Sequence, residues 1–100
     1  TDSKRYRDAT APLGYVMSTH AQLALSHAAR FAGHAKGVRV TALCPGAIDT
    51  ELIAGLPGAT PAANRLAPDT IAEVVALLLR LPNSANVAEL VVNTRLEHSL

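Results

Sequence analysis

The amino-acid sequence predicts an α/β fold in which parallel strands are joined by helices, and three observations lead to this prediction. Residues 38–44 (VRVTALC) and 87–93 (VAELVVN) are short, mostly apolar runs typical of buried strands. Between them, residues 68–81 repeat apolar residues with the period of a helix. The order strand, helix, strand is that of a βαβ unit in a parallel sheet. Because such a sheet needs more strands and cover on both faces, the chain is expected to form part of a domain.

Composition restricts the class of protein further. The chain has 100 residues and a formal net charge of +1, with 49% hydrophobic and 17% charged residues. These values argue against two complete domains, against disorder, and against attraction to nucleic acid or an anionic membrane. The longest apolar run, Val74 to Leu79, is far shorter than the roughly 20 residues that span a bilayer. We therefore expect a soluble, cytoplasmic protein that is an internal piece of a longer one.

Six segments follow one another along the chain. Pro12 suits the first turn of the long helix, and Gly37 is a natural residue just after its end. Glycines and prolines dominate the connection that follows the first strand, which predicts a mobile loop. The predicted segments are a loop over 1–13, a helix over 14–36, a strand over 38–44, a loop over 45–67, a helix over 68–81 and a strand over 87–93.

Both predicted helices carry apolar stripes that need partner surfaces. In the long helix the stripe consists of Val16, Met17, Ala21, Ala24, Leu25, Ala28, Phe31 and Ala32. In the second helix it consists of Ile71, Val74, Val75, Leu78 and Leu79. Two strands cover only part of this surface, so we expect a missing N-terminal half or a second copy of the chain to cover the rest.

Several motifs occur along the chain in an order that resembles that of one protein family. Tyr15 opens the long helix, the helix leads to a strand, and the strand ends in Pro45-Gly46 with Thr50 after three intervening residues. This order resembles the second half of the short-chain dehydrogenase/reductase family, and the likeness extends over about 15–93. It implies the C-terminal part of a doubly wound, parallel-sheet Rossmann fold. It also implies an oxidoreductase that transfers a hydride between NAD or NADP and a carbonyl or secondary alcohol.

The same resemblance assigns catalytic positions. Tyr15 takes the place of the family's active-site tyrosine, which acts as a general acid. Ser3 is the nearest upstream candidate for the active-site serine. Thr19 stands where the family has a lysine, whose ammonium lowers the pKa of the tyrosine and holds the nicotinamide ribose. A threonine hydroxyl carries no positive charge, so both contributions are absent at this position.

The resemblance also assigns the contacts to the cofactor. Pro45 and Gly46 form the turn after the strand, the backbone of Ile48 meets the nicotinamide carboxamide, and the Thr50 hydroxyl assists. Residues 47–67 become the substrate lid. The sequence contains no G-x-x-x-G-x-G or G-x-G-x-x-G for the pyrophosphate, so we expect the chain alone not to bind the cofactor usefully and to be inactive.

Two functional interpretations stay open, and with them the question of whether the chain is an enzyme. One is a fragment of a short-chain oxidoreductase, and the other is a non-catalytic association module derived from that family. For both we expect a homo-oligomer and no nucleic-acid or membrane partner.

The cysteine and three of the histidines are further candidates for a chemical role. Cys44 ends an apolar strand and is expected to be buried and inert. His20, His27 and His34 recur every seven residues, about 10 Å apart along the helix, too far to share one metal ion. They predict either a mildly polar helix face or a proton-sensitive contact between helices.

Overall fold

The computed structural model describes residues 11–95, which contain helices, strands and two single turns of 3-10 helix. In order these elements are α1 (Leu13–Gly33), a 3-10 turn (His34–Lys36), β1 (Ala42–Pro45), α2 (Glu51–Ala54), a 3-10 turn (Ala62–Asn64), α3 (Pro68–Arg80) and β2 (Glu89–Val92). The mixed class and the order of the predicted elements are confirmed. The predicted loop over 1–13 falls largely outside the described residues.

Strands β1 and β2 pair in parallel, as predicted. Ala42 lies opposite Glu89, and Pro45 lies opposite Val92. The Gly46 amide extends the pairing by donating to the Val92 carbonyl at 2.8 Å. The most deeply buried side chain on this sheet is Cys44, which is 1% exposed. Its predicted burial is therefore confirmed.

Two glycines allow the chain to pass from α1 toward β1. Gly37 follows the 3-10 turn with a φ of 73°, a left-handed conformation that favours glycine. A Cβ on Gly33 would lie 2.6 Å from the Cβ of Val38, so only a glycine permits the chain to return this closely to the helix. The end of α1 is consequently packed against the segment that leads into the sheet.

Both strands are shorter than the sequence predicts, and a side chain pairs with the backbone just before β1. The amide of Asn86 accepts from the Val40 amide at 2.9 Å and donates to the Val40 carbonyl at 3.1 Å. A side chain therefore satisfies the backbone at Val40, where a neighbouring strand would otherwise be needed. The predicted strand over 38–44 begins at Ala42, and the predicted strand over 87–93 begins at Glu89.

The segment predicted as a loop over 45–67 has internal structure. It contains α2, a 3-10 turn and a parallel bridge between Ile48 and Leu66. The Leu66 amide donates to the Ala47 carbonyl, and the Asp49 amide donates to the Leu66 carbonyl, both at 2.8 Å. The two ends of the segment are thus bonded to each other, so the segment contains regular structure that the sequence did not predict.

The helix stripes are only partly covered. Most of the predicted apolar set on α1 is exposed, with Phe31 72% and Met17 64% exposed, while the half-buried side carries a set that shares only Val16 with it. That half-buried set is Val16, Thr19, His20, Leu23, Ser26, His27, Arg30 and Gly33. On α3, Ile71, Val74 and Leu78 are half-buried, whereas Leu79 is 73% exposed. Among the described residues, no helix has the length and apolar character needed to cross a membrane.

Candidate functional site

The first part of the candidate site is the start of α1, where Tyr15 and Thr19 lie one helical turn apart. The Tyr15 side chain is 48% exposed, and its hydroxyl makes no hydrogen bond within residues 11–95. Thr19 is 8% exposed, and its hydroxyl lies 3.0 Å from the Tyr15 carbonyl and 3.1 Å from the Val16 carbonyl. Thr19 therefore bonds to the backbone of its own helix, a common arrangement for a threonine inside a helix. It brings no charge toward the phenol.

The second part is the turn that follows β1 at the carboxyl end of the strands. Pro45 ends β1, and the Gly46 amide is bonded to Val92 on β2. In open α/β sheets, ligands bind outside the carboxyl ends of the strands. The turn that the sequence singles out therefore lies at the end of the sheet where a ligand site is expected.

Ile48 lies at the centre of this turn and pairs with Leu66 in the parallel bridge. Its neighbours Ala47 and Asp49 supply the two hydrogen bonds of the bridge to Leu66. In a parallel bridge the central residue directs its own N–H and C=O away from the partner. Within residues 11–95, neither group of Ile48 takes part in a hydrogen bond. One donor and one acceptor are thus held side by side with no partner in the described chain.

Thr50 closes the turn at the N-terminal cap position of α2. Its backbone is extended, with φ −136° and ψ 165°, and its hydroxyl makes no capping bond. The side chain is exposed. Thr50 therefore presents a hydroxyl two residues from Ile48, in the same turn.

The sequence did not predict the interaction of two charged side chains, Arg65 and Asp49, at this turn. The Arg65 guanidinium donates from Nε to the Thr60 carbonyl at 2.8 Å and from Nη1 to Asp49 Oδ1 at 3.0 Å. The Arg65 side chain is 9% exposed and that of Asp49 is 56% exposed. The only sequence signal was an arginine in an otherwise uncharged stretch, Leu52 to Ala67, with no period to connect it to Asp49.

The three histidines lie mainly on the half-buried side of the helix. His27 Nε2 lies 3.1 Å from Glu89 Oε2, which connects α1 to the first residue of β2. The His20 Nδ1 lies 2.8 Å from the Val16 carbonyl. No group of three metal-binding side chains occurs in the described part of the chain. Of the three, His27 thus contacts the sheet, His20 contacts its own helix, and His34 is exposed in the 3-10 turn.

A hollow of about 320 Å³ lies at the other end of the strands. Arg39 lines it, but the Arg39 guanidinium already donates to the Ala85 carbonyl at 3.2 Å and to the Leu78 carbonyl at 3.5 Å. The latter carbonyl belongs to the last turns of α3, where a cation is favoured. We interpret Arg39 as a structural residue that joins α3 to the sheet.

The structure therefore groups Pro45, Gly46, Ile48 and Thr50 in one turn, and Tyr15 with Thr19 in one helix. Within residues 11–95, the Tyr15 side chain forms no hydrogen bond to the turn. Ser3 lies outside the described residues. Comparisons with family models, curated proteins and solved structures returned no match.

Proposed function

We propose that this chain is the C-terminal part of a Rossmann-type oxidoreductase that transfers a hydride between NAD or NADP and a carbonyl or secondary alcohol. The observation that carries the proposal is the pair of unused backbone groups on Ile48, beyond the carboxyl end of β1. The resemblance to short-chain dehydrogenases/reductases supports it from the sequence.

The nicotinamide end of the cofactor fits these groups chemically. A carboxamide offers one acceptor oxygen and one donor nitrogen, and Ile48 presents one donor and one acceptor that need partners. The exposed Thr50 hydroxyl can both donate and accept beside them. In this proposal Ile48 and Thr50 orient the nicotinamide ring, and the chemistry that the cofactor supplies is hydride transfer.

The remaining chemistry is the movement of one proton. A carbonyl that receives a hydride becomes an alkoxide, which needs a proton from a group within hydrogen-bond reach. The half-exposed Tyr15 phenol is the proposed donor. Because Thr19 is uncharged and bonded to its own helix, Tyr15 has no cation at the position that the family uses to lower its pKa. We therefore propose that proton transfer is the weak part of the site and that the isolated chain is inactive.

A titration with NADH followed by amide NMR tests the cofactor assignment. We expect weak binding, well above micromolar dissociation constants, in which the Ile48 and Thr50 amide resonances move. The Leu66 amide serves as an internal control because its hydrogen bond to Ala47 is already made. If the Ile48 resonance stays in place at millimolar NADH, the nicotinamide assignment is wrong.

The coding region upstream of Thr1 provides an independent test. We expect it to encode a strand followed by a glycine-rich turn, which would supply the pyrophosphate site. A coding region without that pattern would favour the second function below.

The second candidate function is that of a non-catalytic association module. The observation that favours it is the exposed apolar side of α1, which includes Leu13, Met17, Leu25 and Phe31. Alanines at 21, 24 and 28 lie on the same side, so another helix can approach closely. A patch of this kind is seldom left uncovered on a monomer.

Sedimentation of the chain at several pH values tests this function. Of the three histidines only His34 is exposed, three residues after Phe31, so we expect association through the apolar side to weaken between pH 8 and pH 5 only if His34 lies in the contact. Phe31→Ser should weaken association, and Ala29→Ser, on an exposed position outside the apolar set, serves as the control. A folded monomer at high micromolar concentration would exclude association.

A further inference from the structure

Arg65 occupies a place where three parts of one segment meet. Its own backbone neighbour Leu66 is bonded to Ala47 and Asp49, and its guanidinium reaches Thr60 and Asp49. The side chain is 9% exposed although it carries a full charge. A cation with so little access to water needs protein partners, and Arg65 has both a carboxylate and a carbonyl.

The geometry of the guanidinium allows Arg65 to bond to two parts of the segment at once. Nε donates to Thr60 in the distal part of the segment, while Nη1 donates to Asp49 beside Ile48. A rigid, planar group that donates in two directions holds both partners at fixed positions. A lysine has a single terminal ammonium on a flexible stem, so it can pair with Asp49 without holding Thr60 in the same way.

We propose that Arg65 is a positioning residue that fixes the turn from Ala47 to Thr50. Its two side-chain hydrogen bonds keep the backbone bridge between Ile48 and Leu66 closed. That bridge in turn sets the direction of the Ile48 N–H and C=O. The identity of the ligand as a nicotinamide rests on the proposed function. The role of Arg65 in fixing the turn rests on the Arg65 contacts alone.

Hydrogen exchange at single amides measures the closed bridge directly. Arg65→Met removes the charge and both hydrogen bonds while keeping an unbranched stem of similar length. We expect the Asp49 and Leu66 amides to exchange about 10-fold faster or more in this variant, since charge-assisted hydrogen bonds are the stronger ones. The Ala42 and Gly46 amides, which are bonded within the sheet, should exchange at unchanged rates.

Three other variants separate positioning from a general loss of stability. Arg65→Lys keeps the pairing with Asp49 and should return part of the protection to the Asp49 amide. Asp49→Asn keeps an acceptor without its charge and should raise exchange at Asp49 and Leu66 by a smaller factor. Arg80→Met, at the exposed end of α3, removes a charge elsewhere and should leave both amides unchanged.

The outcomes are distinct for the two proposals. Unchanged exchange at Asp49 and Leu66 in folded Arg65→Met overturns the inference. If that variant does not fold, unchanged exchange in Asp49→Asn overturns it. If exchange rises as expected but NADH never moves the Ile48 resonance, the positioning role stands and the nicotinamide assignment is wrong. If both hold, the NADH-dependent movement of the Ile48 resonance should shrink in Arg65→Met.

Discussion

The turn after β1 and the first turn of α1 are the two parts of the candidate site, and they differ in how firmly their polar groups are held. In the turn, two backbone hydrogen bonds and a largely buried arginine fix the residues around Ile48. At the start of α1, the Tyr15 side chain is half-exposed and its hydroxyl is free of hydrogen bonds within residues 11–95. Hydrogen bonds that converge on one residue give precise placement, which a site needs for binding.

The difference has a chemical meaning for the proposed reaction. Backbone groups held in a fixed direction are suited to binding, because they lose little freedom when a ligand arrives. A phenol acts as a proton donor only if its surroundings adjust its pKa and its position. The geometry of the candidate site therefore favours the proposed binding step over the proposed proton transfer.

The largest effect is expected on the rate of carbonyl reduction when a positive charge is introduced beside Tyr15. Thr19→Lys places an ammonium one helical turn from Tyr15, which favours the phenolate and lowers the pKa of the phenol. In a chain extended by the proposed upstream half, we expect carbonyl reduction to rise by about 100-fold or more, the usual contribution of general acid catalysis. The rate of NADPH or NADH oxidation measures it.

Two further variants control this experiment. Thr19→Met has a long side chain without charge, so it should give no gain. Adding Tyr15→Phe to Thr19→Lys should remove the gain, because the proton donor is then absent. An unchanged rate in Thr19→Lys, with the cofactor shown to bind, would argue against catalysis by Tyr15.

The next effect concerns the opposite end of the same helix, where α1 is firmly packed. Gly33→Ala introduces a Cβ that would lie 2.6 Å from the Cβ of Val38, so we expect the free energy of unfolding to fall by about 1–3 kcal/mol. Gly14→Ala is the matched control, because nothing lies within 4 Å of a Cβ there. In a helix, that replacement should be neutral or stabilise by up to about 1 kcal/mol. Urea unfolding of the two variants compares the two ends of α1, and equal effects would mean that both ends are equally packed.

The sequence predicts α1, α3 and the pairing of the strands well, because these depend on local patterns, whereas α2 lies in a segment predicted as a loop. Pro68 and the period of the apolar residues locate α3 to within one residue of its observed end. Gly37 is predicted as the residue that ends the first helical segment, and it has the positive φ that this role favours. Parallel pairing follows from the order strand, helix, strand.

The sequence predicts less well the features that depend on a polar side chain bonding to a group far away along the chain. Asn86 and Val40 are 46 residues apart, and no periodic pattern connects them. The same holds for Arg65 and Asp49, whose ion pair is proposed to fix the turn from Ala47 to Thr50. The resemblance located the turn at Ile48 but did not indicate what holds it.

A smaller effect is expected at the strand ends, where one amide side chain takes the place of a strand. Asn86→Ala removes both hydrogen bonds to Val40, and we expect the free energy of unfolding to fall by about 1–2 kcal/mol. Asn86→Asp keeps the acceptor but places a carboxylate oxygen against the Val40 carbonyl, so the free energy of unfolding should fall at least as far as in Asn86→Ala. Asn83→Ala is the control, because its side chain makes no hydrogen bond among the described residues. Equal stabilities of the Asn86 and Asn83 variants would show that the amide contributes nothing.

The smallest effect is expected where α1 meets β2 through His27 and Glu89. Their side chains are 32% and 41% exposed and lie 3.1 Å apart, so water screens the interaction. A double-mutant cycle with His27→Gln and Glu89→Gln should give a coupling of less than about 1 kcal/mol. Such a value would mean that this pair adds little to the attachment of α1 to β2. A coupling well above 2 kcal/mol would instead mean that this pair fixes the helix on the sheet, and the contrast between a firmly held turn and a loosely held helix would no longer hold.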